Sequence, residues 1–572
     1  MLGIQELTLA NGKRIPLAAL TVIVGPNNAG KTLLLNECAF ALQGLDDSRK
    51  IVAGITLPQM SGDECFAAAG LKIEEGSPTQ YRIKTALPYQ GLSLGIDSSY
   101  IKGLKKTIGA APLNERTDFL QHFGRAWFVQ ARTEDRLAAA KRQSTGQEDG
   151  LLQSLYESGS ATDSALSVET TLAFGQSMKL DSSTLTEHVI RIGKNFDQIP
   201  PNMRDARPLL DKYETLDVQG DGFKSFVTTL LFLTLMKRPV TFIDEPEAFL
   251  HPPQALQLGQ VMARTASDQQ QIICSTHSTD VLRGMLDNDN VTIVRLSRQE
   301  DNTVANVLEK DKIAEIARNP LLKSGRVLDA LFYKGAVVVE GDSDRALYQA
   351  VAQQCYPGEE IHYVNAHNKQ TAHKVANAYR AIKVPHVVIV DFDVLRESAE
   401  LKRLLPTIDD ATPTIQRVME LQAVIANEVL QKTDREVYLE TLAALTACIA
   451  AAPTTVDAQE DASRELQNLK RNIDKAQDYA KKWAKVKEHG RDALSPVGQK
   501  HFDDLEQLCR QLDIFIVPVG GLEGWLKSVT GSRKKGRWIG KALEHVAKTK
   551  LGDSEPLVKF VDDVHQHLRG SV

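Results

Sequence analysis

Short apolar runs separated by polar turns make up the first part of the chain. Apolar and polar side chains alternate over residues 4–9, Asn11-Gly12 is a two-residue turn signal, and a second apolar run covers residues 15–24. This pattern predicts a β-hairpin that leads into a buried strand.

Two later stretches repeat an α/β pattern. The first follows an apolar helix and has strand-like runs at 240–243, 271–274 and 291–296. The second has apolar runs at 336–339, 386–390 and 513–519, with a predicted helix at 344–354. Helices that alternate with apolar strands are typical of parallel sheets, so we predict an α/β fold in both parts.

Two other stretches have a helical composition. Residues 136–215 are polar and predict an inserted helical segment, a candidate for a dimerisation surface. Residues 457–489 contain neither Gly nor Pro, and they lie in a block between about 396 and 508 that predicts long, paired helices. The second block interrupts the second α/β pattern, so we interpret it as an insertion with a solvated charged face.

Composition excludes several classes of protein. Of 572 residues, 42% are hydrophobic and 25% charged, which is ordinary for a soluble globular protein. The 68 Lys and Arg nearly balance the 73 Asp and Glu, so a nucleic-acid surface would have to be a local patch. The longest apolar run, 226–236, is half of a membrane span, and the N-terminus lacks a secretory signal. We expect a cytoplasmic protein that does not enter a membrane. The six scattered cysteines favour neither disulfides nor zinc.

The segment from Gly25 to Thr32 has the spacing GxxxxGK[ST] between a strand and an apolar helix. Gly25, Asn28 and Gly30 lie in the loop that would curl around the β-phosphate of a nucleotide. Lys31 would reach the β- and γ-phosphates, and Thr32 would offer its hydroxyl to Mg²⁺. We therefore predict an ATP site.

Two strand ends supply further groups for this site. Asp244 and Glu245 follow the run 240–243, where the first would hold the Mg²⁺ shell and the second would deprotonate the attacking water. His277 follows the next strand, where a side chain can sense the γ-phosphate. Gly220 and Gly222 open an apolar helix and form a second candidate anion site.

These elements together resemble the ATP-binding cassette (ABC) ATPases, in particular the branch of RecF-like and SMC-like proteins. The segment Asp244-Glu-Pro-Glu-Ala-Phe-Leu-His-Pro252 matches the pattern of that branch. The resemblance implies that Gly220 and Gly222, in the signature loop, complete the ATP site of a second protomer, and hence a homodimer or larger homo-oligomer. The signature sequence GDGFKS departs from the usual LSGGQ, which puts efficient hydrolysis in question, and the sequence does not locate the glutamine loop.

The second α/β part carries acidic strand ends. Glu340 follows the run 336–339, Asp344 lies one helical turn later, and Asp391 and Asp393 follow the run 386–390. Because side chains alternate along a strand, we expect Asp391 and Asp393 to point to the same side. Carboxylates that converge in this way repel one another unless a cation holds them, and oxygen ligands suit Mg²⁺ or Mn²⁺.

The Glu-Gly at 340–341 and the Asp-x-Asp at 391–393 resemble the TOPRIM domain of topoisomerases, primases and some nucleases. An ABC-type ATPase followed by TOPRIM in one chain resembles the OLD (overcoming lysogenization defect) nucleases, a family that includes subunits of antiphage systems such as Gabija and some retron effectors. That resemblance implies a further metal-binding acid, matched by Glu523, and a catalytic lysine, matched by Lys535 or Lys541.

The resemblance implies the following limits: an ATPase domain at 1–325, with the inserted segment at 136–215; a TOPRIM domain at 333–398 and 509–572; and a helical insertion at 399–508. Eight Lys and Arg lie between residues 527 and 550, against the single acid Glu544. This basic patch favours phosphate binding. Trp538 within it would either stack on a splayed base or be buried under a surface helix.

The implied mechanism is two-metal phosphodiester hydrolysis. We expect an ATP-regulated, divalent-metal-dependent DNA endonuclease or nickase in bacterial antiphage defence. One alternative is an ATP-driven DNA clamp of the RecF or SMC kind that no longer cuts. Another is a TOPRIM ribonuclease toxin, since the phosphate chemistry does not distinguish RNA from DNA. A partner protein or a retron nucleic acid encoded nearby would be a further component.

Overall fold

The fold was analysed in a computed structural model, in which the chain divides into two compact units, Met1–Arg318 and Asn319–Val572. The structure describes residues 1–45, 49–75, 80–85, 93–108, 112–115, 117–138, 141–146, 150–299, 302–320, 322, 326–367, 369–406, 412–430, 434–453, 459–479, 483–529, 535–549 and 551–571.

The first unit mixes strands and helices along its whole length. Its strands are β1 (Glu6–Leu9), β2 (Arg14–Pro16), β3 (Leu20–Val24), β4 (Val52–Thr56), β5 (Leu71–Glu75), β6 (Gln80–Thr85), β7 (Ser93–Asp97), β8 (Phe128–Ala131), β9 (Gln143–Ser144), β10 (Ser177–Asp181), β11 (Glu187–Gly193), β12 (Glu214–Thr215), β13 (Val240–Asp244), β14 (Gln271–Ser275), β15 (Val291–Gln299) and β16 (Asn302–Leu308). Its α-helices are α1 (Lys31–Ala41), α2 (Gly62–Ala68), α3 (Ser98–Thr107), α4 (Thr117–Trp127), α5 (Thr133–Ala138), α6 (Leu151–Ser158), α7 (Ser160–Phe174), α8 (Met203–Leu210), α9 (Asp221–Leu235), α10 (Pro252–Thr265), α11 (Thr279–Met285) and α12 (Lys310–Arg318).

A central sheet of this unit has the strand order β16-β15-β3-β14-β13-β8 and is parallel except for β16. All five side chains of β3 and of β14 are buried, as expected for strands covered on both faces. The carboxyl ends of β3, β13 and β14 therefore meet at one edge. The predicted hairpin is confirmed: β1 and β2 pair antiparallel across Asn11-Gly12 and join β4 in a separate sheet.

The prediction of a helical segment at 136–215 is only partly correct. Helices α6, α7 and α8 are present, but β10 and β11 pair antiparallel between them, and β9 and β12 pair with β11. These strands were not predicted because their polar composition gives no strand pattern in the sequence. Asp181 is neutralised by Arg191 at 2.8 Å on the neighbouring strand, and the mostly polar residues 182–186 form the turn between β10 and β11.

The second unit has a parallel sheet with the order β18-β17-β19-β20. Its strands are β17 (Gly335–Val339), β18 (Ile361–Asn365), β19 (His386–Val390) and β20 (Ile514–Ile516), and its α-helices are α13 (Asp342–Cys355), α14 (Lys369–Ala381), α15 (Ser398–Leu404), α16 (Thr412–Leu430), α17 (Asp434–Ala450), α18 (Gln459–Tyr479), α19 (Ala484–His489), α20 (Pro496–Arg510), α21 (Lys535–Lys548) and α22 (Pro556–Ser571). Every residue of β17 and β19 is buried, which explains why both are apolar apart from His386.

The predicted helical insertion consists of helices in all the parts that the structure describes. Helix α17 packs on α18, and α16 packs on α20, which leads back to β20. The returning strand is shorter than the predicted run 513–519 because the chain turns after Ile516. Within the described ranges, no helix is both long and apolar enough to cross a bilayer.

Candidate functional site

The loop from Gly25 to Lys31 has the backbone of a phosphate-binding loop. Gly25 has φ +147°, and a methyl group there would lie 2.3 Å from the carbonyl oxygen of Leu296, so a side chain is excluded. Asn28 and Gly30 also have positive φ, 60° and 93°. The Lys31 ammonium, which is buried, donates to the carbonyls of Gly25 and Pro26 at 2.9 and 2.8 Å. The loop is therefore preformed around the lysine.

The exposed Thr32 is the second residue of α1, the helix that follows this loop, in the position expected for a Mg²⁺-binding hydroxyl. Asp244, the other predicted Mg²⁺ ligand of this site, ends β13 and accepts a hydrogen bond from the Ser275 hydroxyl on β14. Both side chains thus lie at the carboxyl edge of the central sheet, where ligands bind in α/β folds.

Glu245 and His277 are brought together as the sequence predicts. His277 Nε2 lies 3.6 Å from Glu245 Oε1. Glu245 has φ +46°, a left-handed conformation that is strained for a residue with a side chain. Such strain persists only where the surroundings enforce it.

Arg136 helps to hold that conformation, alongside the backbone hydrogen bond from the Glu245 N–H to the Ser275 carbonyl, and sequence reasoning missed it. This fully buried side chain on α5 donates to the carbonyls of Asp244 and Glu245, both at 2.9 Å, and to Ala131 and Thr133. Burial lowers the pKa of Arg136, while the carboxylates of Glu247, Asp244 and Glu245 favour its charged form. In the sequence, Arg136 is one arginine in a polar stretch, so no local signal identifies it.

Glu247 is a second positioning residue. Its carboxylate accepts hydrogen bonds from the Thr276 hydroxyl at 2.8 Å and from the His277 backbone N–H at 2.6 Å. Burial raises the pKa of Glu247, while these hydrogen bonds oppose that rise. Glu247 thus fixes the loop that carries His277.

The structure also gives a candidate for the glutamine that the sequence left unlocated. Gln130 on β8, beside β13, donates from Nε2 to Asn36 Oδ1 on α1 at 2.6 Å. Its sequence signal is one polar residue in an apolar strand. Gly220 precedes α9 with ordinary φ, whereas a methyl group on Gly222 would lie 2.5 Å from the Phe249 carbonyl oxygen, so Gly222 has a packing role.

In the second unit, acidic side chains follow three neighbouring parallel strands at the carboxyl edge of the sheet. Glu340 follows β17, and its Oε1 accepts the backbone N–H of Asp391, after β19, at 3.0 Å. Glu523 lies in the 3₁₀ turn Leu522–Gly524 that follows β20. A methyl group on Gly521 would lie 3.6 Å from Glu523 Oε2 and 3.7 Å from Asp391 Oδ2, so both carboxylates converge on this glycine.

Asp344 lies in the first turn of α13 and is only 4% exposed. Its Oδ2 would be 3.1 Å from a methyl group on Gly341, so it folds back toward the residue after Glu340. Beneath it, the Tyr348 hydroxyl accepts a hydrogen bond from Trp525 Nε1 at 3.0 Å. Burial raises the pKa of Tyr348 well above its usual value, and the nearby carboxylates of Asp391, Asp344 and Glu340 raise it further.

The expectation that Asp391 and Asp393 alternate along a strand is wrong. Strand β19 ends at Val390, and residues Phe392–Arg396 form a 3₁₀ turn, so the alternation of a strand does not extend to these two residues. The Phe392 N–H donates to the Gly520 carbonyl, which holds the turn against the loop after β20. Asp393 Oδ2 lies 3.4 Å from Lys487 Nζ, on α19 of the insertion.

The donor set of Glu340, Asp344, Asp391, Asp393 and Glu523 consists of carboxylate oxygens and fits Mg²⁺ or Mn²⁺ by its chemistry. Among the residues that the structure describes, no three His, Cys, Asp or Glu side chains are already grouped closely enough to hold a metal ion. An ion would therefore draw these carboxylates together.

The predicted basic patch is described in part. Lys535 is the first residue of α21, but its side chain, like that of Arg537, lies outside the described residues, as do Arg533, Lys534 and Lys550. Lys541 is exposed on α21. Trp538 is 3% exposed and packs in the core with Trp525, so the buried interpretation holds and base stacking is wrong.

Two family descriptions match parts of the chain. Residues 150–283 match "AAA domain, putative AbiEii toxin, Type IV TA system". Residues 331–393 match "Overcoming lysogenization defect protein-like, TOPRIM domain". The second match contains Glu340, Asp391 and Asp393.

Two curated proteins are similar to this chain. The OLD nuclease of Thermus scotoductus is 26% identical over 429 residues, which are 66% of this chain and 79% of that protein. The Old nuclease of Escherichia phage P2 is 26% identical over 178 residues, 29% of this chain and 30% of that protein. Among solved structures, an SMC head bound to the winged-helix domain of ScpA has 15% identity, covers 55% of this chain and 99% of that one, and has a TM-score of 0.34, which is too low to support a statement about fold.

Proposed function

We propose that this chain, which belongs to the OLD family of ATPase and TOPRIM nucleases, cuts DNA phosphodiester bonds under the control of ATP. The family assignment gives the chain an ATPase domain and a nuclease domain. Beyond the family assignment, we propose that the substrate is DNA, that cleavage depends on Mg²⁺ or Mn²⁺, and that one strand is nicked.

One observation carries the proposal. Three separate strand ends contribute to it: Glu340 accepts the backbone N–H of Asp391, and the carboxylates of Asp391 and Glu523 both lie near Gly521. A packing role does not require acids to converge, because like charges repel. A bound Mg²⁺ or Mn²⁺ ion would activate water and stabilise charge on the scissile phosphate. The carboxylates of the chain hold the ion, and Lys535 or Lys541 adds positive charge beside the phosphate.

The ATP site supplies the control. Lys31 would bind the phosphates of ATP, and Thr32 and Asp244 would hold Mg²⁺. Glu245 would take the proton of the attacking water, and His277 would sense the γ-phosphate. We propose that Gly220 and Gly222 of one protomer complete the site of another, so that ATP assembles a homodimer or larger homo-oligomer. In a bacterial cytoplasm such a switch would restrain the nuclease until phage DNA appears.

Substrate cleavage by matched variants tests the nuclease assignment. The wild type, Asp391→Asn and Asp342→Asn are incubated with supercoiled DNA, linear DNA or single-stranded RNA, in Mg²⁺, Mn²⁺ or EDTA, with and without ATP. Asp342 is exposed and pairs with Arg345 at 3.4 Å, so its variant loses the same charge outside the carboxylate group.

We expect Asp391→Asn to abolish metal-dependent DNA cleavage and Asp342→Asn to retain it. Cleavage that survives in Asp391→Asn would overturn the site. DNA binding without cleavage by the wild type would instead support the clamp alternative, and cleavage of RNA alone would support the ribonuclease alternative.

Protection against phage tests the biological role. Cells that express the wild type should reduce phage plating, and cells with Asp391→Asn should not. Equal plating on both would contradict a role in defence.

A further inference from the structure

The end of the helical insertion lies against the carboxylate site through direct backbone contact. A methyl group on Gly490 would lie 2.1 Å from the Pro518 carbonyl oxygen, and one on Gly520 would lie 2.3 Å from the Lys487 carbonyl oxygen. Both glycines have positive φ, 56° and 93°, and the Arg491 N–H donates to the Pro518 carbonyl at 2.8 Å. Lys487 is therefore held on the loop that leads to Glu523.

The side chain of Lys487 extends into the site from this fixed backbone. Its Nζ lies 3.4 Å from Asp393 Oδ2, although the lysine side chain is 67% exposed and has open solvent available. The Asp393 side chain is 18% exposed, and it lies in the 3₁₀ turn that Asp391 precedes. Lys487 lies outside the basic patch at 527–550, so this cation reaches the site from a different part of the chain.

We propose that Lys487 is a further positioning residue of the nuclease site, where its ammonium takes the place of a metal ion at Asp393 and is displaced when the ion binds. The inference rests on the proposed metal-dependent function. The carboxylates need a counter-charge when no ion is present, and Lys487 supplies one. The same charge then competes with the ion, so the insertion sets the metal concentration at which the nuclease becomes active.

The exposure of the Lys487–Asp393 ion pair sets how much the loss of Lys487 should change metal affinity. Exposed ion pairs are weak and are screened by solvent. Removing this competitor, together with its repulsion of a divalent ion, should tighten metal binding about three- to tenfold.

The test measures Mn²⁺ binding directly, without nucleic acid or nucleotide, from the EPR signal of free Mn²⁺ in titrations of the full-length chain. The variants are Lys487→Met, which keeps an apolar stem, and Lys487→Arg, which keeps the charge. Lys485→Met is the matched control, because it removes the same charge two residues earlier on α19. Asp391→Asn locates the bound ion.

We expect Lys487→Met to bind Mn²⁺ about three- to tenfold more tightly than the wild type, while Lys487→Arg and Lys485→Met stay within about twofold. Equal affinities of Lys487→Met and Lys485→Met would overturn the inference. If Asp391→Asn loses Mn²⁺ binding in that case, the proposed nuclease site stands and only the role of Lys487 fails. If Asp391→Asn binds Mn²⁺ as the wild type does, both proposals fail.

Discussion

Replacement of Arg136 by Met should slow ATP hydrolysis without weakening ATP binding. Arg136 donates to the carbonyls of Asp244 and Glu245, and together with the backbone hydrogen bond from the Glu245 N–H to Ser275 it stabilises the left-handed backbone of Glu245. A hydrogen bond from a charged donor contributes about 1.5–3 kcal/mol, so these two bonds contribute about 3–6 kcal/mol before the cost of burying the guanidinium.

The strain at Glu245 sets the scale of the response. A residue other than glycine held in this region costs about 1–3 kcal/mol. The bonds from Arg136 exceed that cost, and without them the turn can relax and move the Glu245 carboxylate. A displacement of about 1 Å at a catalytic group lowers the rate about 10²-fold, which is the fall in kcat that we expect.

The assay combines steady-state ATP hydrolysis with equilibrium binding of a fluorescent ATP analogue and thermal unfolding. Arg142→Met is the control, because Arg142 is half-exposed and pairs with Glu187 and Asp217 at 3.6 and 3.7 Å. Arg136→Lys, which keeps the charge but donates from a single nitrogen, should have a kcat between those of the wild type and Arg136→Met. In a Glu245→Gln background, Arg136→Met should lower kcat little further, since Arg136 acts through Glu245. A kcat within about threefold of the wild type in a folded Arg136→Met protein would refute the reasoning.

Three further substitutions give distinct outcomes. Gly25→Ala should lower ATP affinity at least tenfold, since its methyl group would meet the Leu296 carbonyl oxygen; unchanged ATP binding would show that the loop adapts. Lys31→Ala should remove ATP hydrolysis and leave ATP-independent DNA cleavage in place; cleavage lost without ATP would show that Lys31 acts beyond nucleotide control. Trp525→Phe removes the buried hydrogen bond to Tyr348 and should lower the free energy of unfolding by about 1–3 kcal/mol in urea titrations, and an unchanged midpoint would contradict this.

The two parallel sheets are predicted well from the sequence because strands that are buried on both faces consist mostly of apolar residues. Strands β3, β17 and β19 are mostly apolar for that reason, and the acids that follow β17 and β19 are conspicuous. The strands β10 and β11 were missed because their polar side chains find partners on neighbouring strands, as Arg191 does with Asp181.

The residues that sequence reasoning missed act over long distances in the chain. Arg136 contacts residues more than 100 positions away, and Lys487 reaches Asp393 across the whole insertion. Nothing in their local sequence sets them apart from surface cations. The alternation argument for Asp391 and Asp393 failed because the strand ends at Val390, before either residue.

The most direct test of the account is nicking of supercoiled plasmid by the wild type and by Glu340→Gln in Mg²⁺ or Mn²⁺, with ATP hydrolysis measured on the same preparations. We predict that the wild type nicks the plasmid, and that Glu340→Gln does not nick it but hydrolyses ATP at the wild-type rate. Nicking by Glu340→Gln at the wild-type rate would contradict the assignment of the carboxylate site as the nuclease centre.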